Sequence, residues 1–209
     1  MPRVSRQQAD SHRLTIKTVA SRLLRERGIK GVSVAELMAA AGLTHGGFYG
    51  HFASKDALVA EACVAAFALA VERWNKRVAA AASRAAARMS LIESYLSDAA
   101  RRSPGTSCPA AALAGDVARE AAEVPVRAAY VAGLEALMPI LAAVQGAAQS
   151  SQRRRQALAD FSTMVGGLIL ARATAGHGIS DEFLAAAREC LIAAPRRVRR
   201  RKALPAVRG

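Results

Sequence analysis

Residues Ser33 to Lys55, SVAELMAAAGLTHGGFYGHFASK, restrict the possible folds of this chain more than any other stretch. Ser33 and Glu36 stand at the Ser-x-x-Glu spacing of a capping box, which predicts a helix starting at Val34. Val34, Leu37, Met38 and Ala41 recur on one face of that helix, and Gly42 supplies the positive-φ residue that ends it. Thr44 is a natural N-cap for a second helix, and Leu43 before it is placed to staple onto Phe48. Phe48 and Phe52 lie one turn apart and so turn inward together, leaving His45, Gly46, Tyr49 and Gly50 outside. A helix with such a surface gives up about 1 kcal/mol of helix propensity per glycine relative to alanine, which makes sense where another body must come close. The recognition helix of a helix-turn-helix has that need, because its first turn enters the major groove of DNA. Lys55 follows the N-cap Ser54 of the next helix, where a cation opposes the helix dipole unless lysine and helix end together hold a phosphate. The plainer alternative is a three-helix module whose glycines only permit tight internal packing.

The same stretch resembles the DNA-binding signature of TetR-type transcriptional regulators. The resemblance is carried by Ser33 and Val34, Ala41-Gly42-Leu43-Thr44, Gly46, Phe48-Tyr49, His51-Phe52, Ser54-Lys55 and Ala57-Leu58. It implies that Ser33, Thr44, His45, Gly46, Gly47, Tyr49, His51 and Lys55 contact DNA. The chain departs from the pattern at His45, where lysine is more usual, and at Gly50, where an aromatic or basic residue often adds a phosphate contact.

Composition agrees with a helical nucleic-acid-binding protein. The 209 residues suffice for one large or two small domains, aromatic residues make up 4%, and no segment alternates strongly between apolar and polar, so an all-α fold of about nine helices is expected. The net charge of +14 divides into +5 over residues 1–56, +2 over 57–194 and +7 over 195–209. This is the pattern of a basic head, a nearly neutral body and a basic tail. The expected division is a helix-turn-helix domain over 1–54, a helical effector-binding and dimerisation domain over 55–194, and a disordered tail over 195–209. The tail either adds phosphate contacts or is simply solvated. Residues 1–9 are expected to be disordered or to form an arm along DNA, with Asp10 or Ser11 capping the first helix. Arg13 and Lys17 in that helix suit either phosphate contacts or a solvated face.

The N-terminus has no secretory pattern, and the apolar runs read as broken by Glu61 and Arg172 well short of a membrane span, so a cytoplasmic protein with no membrane partner is expected. Cys63, Cys108 and Cys190 are too widely spaced for a disulfide framework or a zinc site. No metal or cofactor is expected. Nor is an enzyme: the chain has four histidines, two of them in the expected recognition helix, and lacks paired-carboxylate, nucleophile-base or phosphate-loop spacing.

A long helix from Lys55 past Trp74 is expected to join head and body. Further helices are expected over about 89–101, 110–122 and 125–144, the last with a kink at Pro139. Two more, 151–175 and one capped by Ser180, carry apolar faces and resemble the pair through which TetR-type proteins form homodimers. Such a dimer presents two recognition helices about one DNA turn apart and so reads a palindromic operator. By the same resemblance the body encloses a small, largely apolar effector, with Trp74, Tyr95 and Tyr130 as candidate liners; the competing reading is that these aromatics are core. Cys108, at a helix start and a few residues after Arg101 and Arg102, suits a low-pKa redox or electrophile sensor, against the alternative of an inert buried thiol. The functional expectation is a repressor released by a small molecule, with a thiol-sensing repressor or an activator of the same fold as alternatives.

Overall fold

The computed structural model describes residues 6–146 and 149–193, and the basic tail expected over 195–209 lies outside them. Among the described residues the fold is all-helical: α1 (Arg6–Arg27), α2 (Val34–Ala40), a 3-10 helix (His45–Gly50), α3 (Lys55–Ala79), α4 (Arg84–Tyr95), α5 (Asp98–Arg102), α6 (Pro109–Arg119), α7 (Pro125–Ala143), α8 (Ser150–Ala173) and α9 (Ile179–Ile192).

The head closes on a small core. Ile16, Ala20, Leu23 and Leu24 of α1 meet Leu37 and Met38 of α2 and both Phe48 and Phe52, all of them buried. The start of α3, through Leu58, Val59 and Ala62, completes that core, so α3 belongs to the head before it enters the body. In the body α3 runs beside α7, where Phe67 packs edge-on against Tyr130 and occupies the space over Gly133. Trp74, Tyr95 and Phe161 then join α3, α4 and α8 as three edge-to-face rings with centroids 6.0 to 6.4 Å apart. Nearby, Asp160 is only 2% exposed and is held by Arg88 at 2.7 Å and by Gln145 and Gln156. That pairing gives a buried carboxylate the partners it requires.

Several boundaries differ from expectation, each for a local reason. Residues 6–9 are the first turn of α1, not an arm, and Asp10 and Ser11 lie within the helix. The helix expected over 89–101 starts earlier and breaks at Leu96, because Ser97 accepts the Ala100 N–H and caps a new short helix. Ser180 does not cap α9: it lies inside the first turn, buried, donating to the Ala171 carbonyl and accepting from Arg101. The expectation that apolar runs are too short for a membrane also fails for α7, which is long and apolar enough to span a bilayer by length and composition. In this fold it is packed along α3, carries Glu135 and accommodates Pro139 within the helix.

Candidate nucleic-acid interface and its link to the body

The capping box forms as expected. The Ser33 side chain accepts the Glu36 N–H at 3.2 Å, and the Glu36 carboxylate accepts the Ser33 N–H at 2.8 Å. The bonds that the Glu36 carboxylate accepts from the Ser33 N–H and the Ser33 hydroxyl hold it below its ordinary value. Gly42 has φ +73°, the left-handed conformation that a side chain disfavours, and it turns the chain toward Thr44. The segment after Thr44 is helical but tighter than an α-helix, with Gly47 N–H donating to Thr44 O and His51 N–H to Phe48 O. Six residues with three glycines form this single stretch of 3-10 helix, a geometry used in short pieces. Thr44 starts it without a side-chain cap, so its hydroxyl is free.

Phe48 is fully buried and stacks on Phe52 at 5.8 Å, which pins the inner side of the turn. Thr44, His45, Gly46, Gly47, Tyr49 and Gly50 are exposed, with Tyr49 at 72%. A Cβ built on Gly46 or Gly50 would have nothing within 4 Å, and neither glycine has a positive φ. Neither internal packing nor backbone strain therefore calls for glycine there, which removes the plainer explanation for their presence. What remains is an open surface onto which another molecule can close.

Other expected contact residues are placed differently. Lys55 Nζ donates to the Ile29 carbonyl at 2.9 Å, so its charge is tied to the turn between α1 and α2 and must exchange that bond to reach a phosphate. His51 is half-buried, with its ring edge-on to His12 at 6.0 Å and its carbonyl taken by Arg13. Arg13 is not a free surface cation: it lies 4.3 Å over the Phe52 ring and pairs with Glu61, while Lys17 approaches the same carboxylate at 3.9 Å. Arg13 thus clamps the end of the reading turn between α1 and α3.

A second cluster joins this head to the body, and it brings together residues far apart in sequence. Asp116 on α6 accepts the Ile29 N–H at 2.9 Å and fills the space beside Gly28, whose φ is +82°. Arg25 on α1 donates to the Ser107 carbonyl at 2.8 Å, Arg73 on α3 to the Thr106 carbonyl at 2.8 Å, and Arg172 on α8 to the Ala100 carbonyl and the Ser107 hydroxyl. The loop 103–108 is therefore held by guanidiniums from three helices. Burial and the neighbouring Arg73 and Arg172 charges lower Arg25 to about 10. Sequence spacing gave no hint of this cluster, because its members are single arginines on separate helices.

Cys108 ends that loop as the N-cap of α6 and is buried. The expectation that Arg101 and Arg102 lower its pKa does not hold. Arg101 is engaged by Asp98, Asp181 and Ser180, and Arg102 by Asp98. Burial pushes the thiol up, against smaller lowering effects from the α6 backbone N–H groups, Tyr95 and Arg73. Cys108 borders a cavity of about 580 Å³ that is also lined by Trp74 and Tyr95. Tyr130 lies elsewhere, donating its hydroxyl to the Ala110 carbonyl at 2.9 Å. No group of three or more histidine, cysteine or acidic side chains placed to hold a metal occurs among the described residues.

Residues 16–62 match the family model described as bacterial regulatory proteins, tetR family. The whole fold is similar to a TetR-family transcriptional regulator from Cytophaga hutchinsonii, at 19% identity and a TM-score of 0.73, covering 92% of this chain and 97% of that one. It is also similar to the reduced form of Escherichia coli NemR, at 16% identity and a TM-score of 0.70, covering 85% and 95%. A third similar structure is AibR in complex with isovaleryl coenzyme A and operator DNA, at 17% identity and a TM-score of 0.61, covering 87% and 98%. These likenesses establish a shared fold. Comparison with curated proteins gives no match.

Proposed function

We propose that this chain, a member of the tetR family of bacterial regulatory proteins, is a ligand-responsive transcriptional repressor that binds a palindromic operator as a homodimer in the cytoplasm. The observation that carries the reading is the bare outer side of the 3-10 helix, where Gly46 and Gly50 face open space beside exposed Thr44, His45 and Tyr49. Without side chains at those glycines, the backbone can approach base edges and phosphates, while Tyr49 and Thr44 supply hydroxyls for phosphate or base contacts.

Pairing of two chains through α8 and α9 is supported by what these helices leave uncovered. Phe161, Met164, Leu168, Leu184 and Leu191 are consumed by the core of one chain, whereas Leu158, Ile169, Leu170, Ile179 and Ile192 stay exposed. Apolar residues grouped along two neighbouring helices in this way suit a second copy. Two reading turns related by a two-fold axis then meet half-sites about 34–36 Å apart.

Release requires that an effector favour a head position unsuited to the operator, typically by about 1–3 kcal/mol. The route available is short. A ligand in the Trp74–Tyr95–Cys108 cavity bears on α3 and on the loop 103–108, and that loop is bonded to α1 through Arg25 while α6 holds Ile29 through Asp116. A small shift of α3 or α6 therefore moves the α1–α2 turn and with it the reading turn.

A second reading, release through modification of Cys108, is supported by the position of that thiol on the cavity wall. Replacement by serine separates the two: unchanged release by an electrophile in Cys108→Ser sinks the thiol reading. The main proposal is tested by selecting genomic fragments with the purified full chain. Selected sites sharing a two-fold symmetric core are expected. Sites without symmetry would sink the dimeric reading, and sites at which promoters are stimulated would make the protein an activator.

A further inference from the structure

The cavity beside Cys108 is not an apolar pocket. Ser90, Ser94, Thr106 and Ser107 contribute hydroxyls to its wall, and Arg73 and Arg77 on α3 face a single carboxylate, Glu93. Its volume, about 580 Å³, lies within the range of sites for small organic ligands. Two features of this wall are left without a counterpart.

The first is the Tyr95 hydroxyl. Tyr95 is 5% exposed, packed edge-on between Trp74 and Phe161, and its hydroxyl has no oxygen or nitrogen partner, only the Cys108 thiol beside it. Thiol sulfur is a weak acceptor, so this buried phenol lacks the strong partner it normally finds. The second is charge. Of the arginines that converge on the loop 103–108, Arg73 lines the cavity and bonds only the Thr106 carbonyl, while Arg25 and Arg172 hold the loop from behind through carbonyls and hydroxyls. Several other body arginines are matched by acids, Arg88 by Asp160, Arg101 by Asp98 and Asp181, and Arg119 by Asp116, while Arg127 and Arg188 bond only backbone carbonyls away from the cavity. On the cavity wall itself two guanidiniums, Arg73 and Arg77, share one carboxylate, Glu93. A buried phenol without an oxygen acceptor and two guanidiniums against one carboxylate, at one cavity, describe the complement of a missing molecule.

We propose that the cavity takes a small organic acid bearing a second acceptor oxygen, a keto or hydroxy acid, with its carboxylate facing Arg73 and Arg77 and the second oxygen accepting the Tyr95 O–H. This rests on the ligand-responsive reading above and gives the effector a polar, anionic character in place of a largely apolar one. Neutralising Arg73 from outside competes with its bond to the Thr106 carbonyl, which frees the loop that Arg25 holds from the head. Binding and loosening of the head are thereby the same event.

Trp74 is the only tryptophan and lines the cavity, so its fluorescence reports occupancy directly. Phenylpyruvate and 4-hydroxybenzoate, each titrated against its amide, are the probes, and a fluorescein-labelled operator measured on the same samples reports the head. Saturable fluorescence changes are expected with the acids, at dissociation constants between about 1 μM and 1 mM, and at least about tenfold weaker binding of the amides. Arg73→Gln is expected to weaken the acids about tenfold or more, and Tyr95→Phe, which keeps the ring in its packing, about fivefold. Equal binding of acid and amide overturns the proposal, as does the absence of any Trp74 response up to about 10 mM. Intact operator binding alongside either result confines the failure to this inference. Loss of operator binding in protein that still titrates with the acids would instead sink the reading of the head.

Discussion

A methyl group added at Gly46 or Gly50 would meet nothing within 4 Å, whereas one added at Gly133 would overlap the Phe67 ring and one at Gly167 would lie 2.7 Å from the Ala187 methyl. The same residue thus does opposite work in the two halves of the molecule. In the body, glycine lets helices of this chain touch: α7 against α3, and α8 against α9. At Gly46 and Gly50 in the head, as at Gly166 on α8, the space left by glycine is not filled by this chain. A vacancy that the protein fills itself is a packing device; under the proposed function the open pair at Gly46 and Gly50 is where DNA closes in. The head has its share of ordinary packing in Phe48, Phe52 and Arg13, and those contacts fix the inner side of the 3-10 helix.

The largest effect should come from filling a vacancy that is already occupied. Gly133→Ala forces its new methyl into an aromatic ring held by Tyr130, an overpacking expected to cost up to about 3 kcal/mol. Thermal melting should drop by several degrees, with operator affinity of the folded fraction unchanged. Gly46→Ala should do the reverse on stability, leaving it unchanged or raising it by about 0.4–1 kcal/mol. A comparable loss of stability in both variants would erase the contrast.

Next in size is the joint between the halves. Asp116→Ala removes the acceptor of the Ile29 N–H, and a net loss of about 1–2 kcal/mol is expected. Operator affinity should change less than the response to effector, measured as the shift in operator affinity at saturating ligand. An unaltered response would place the coupling elsewhere, along α3 alone.

Smaller still, and free of substitution, is the order in which the thiols react. Cys190 is exposed, Cys108 is buried and its thiol pushed up, and burial raises Cys63 to about 12. Alkylation followed by intact mass should label Cys190 first and Cys63 last. Raising the pH should speed Cys108 at values above those that suffice for a free thiol. Labelling of Cys108 before Cys190 at neutral pH would contradict the packed character of the loop and favour an activated sensor.

The smallest effect sits in the head. Because Ser33 holds the Glu36 carboxyl below its ordinary value, the stabilisation it provides is complete above the unfolded-state value of 4.5 and is lost as pH falls through the lower folded value. Glu36→Gln should therefore flatten the acid side of the stability curve slightly and leave neutral pH almost untouched. An acid limb identical in wild type and variant would show that the capping box does not persist in solution.

What the sequence disclosed follows from the range over which each feature acts. Ser33, Glu36, Gly42, Phe48 and Phe52 act within a few residues of one another, and their spacing alone predicts the cap, the turn and the buried face. The short helix after Thr44 was placed correctly but not its geometry, since glycine-rich hexapeptides satisfy the same pattern as 3-10 or α-helix. Ser97 and Ser180 illustrate a second limit: a serine can cap or sit inside a first turn, and only the partners across the fold decide. Least legible was the charge around the loop 103–108. Arg25, Arg73 and Arg172 are unremarkable in their own helices, and only tertiary packing brings them to one place without an acid. Cys108 was visible as a thiol at a helix start, but the nearness of Arg101 and Arg102 in sequence pointed to the wrong cations.

The central claim is that the uncovered side of the 3-10 helix meets duplex DNA. It is tested most directly by fluorescence anisotropy of the full chain on its selected operator and on a shuffled duplex, with wild type and Gly46→Val compared at fixed moderate salt. The account predicts operator binding at least about a thousandfold tighter than the shuffled site. It also predicts a loss of about 1–3 kcal/mol in Gly46→Val, with no change in melting temperature. Equal affinity of wild type and variant for the operator would mean that the open side of the turn is not where the protein and the duplex meet.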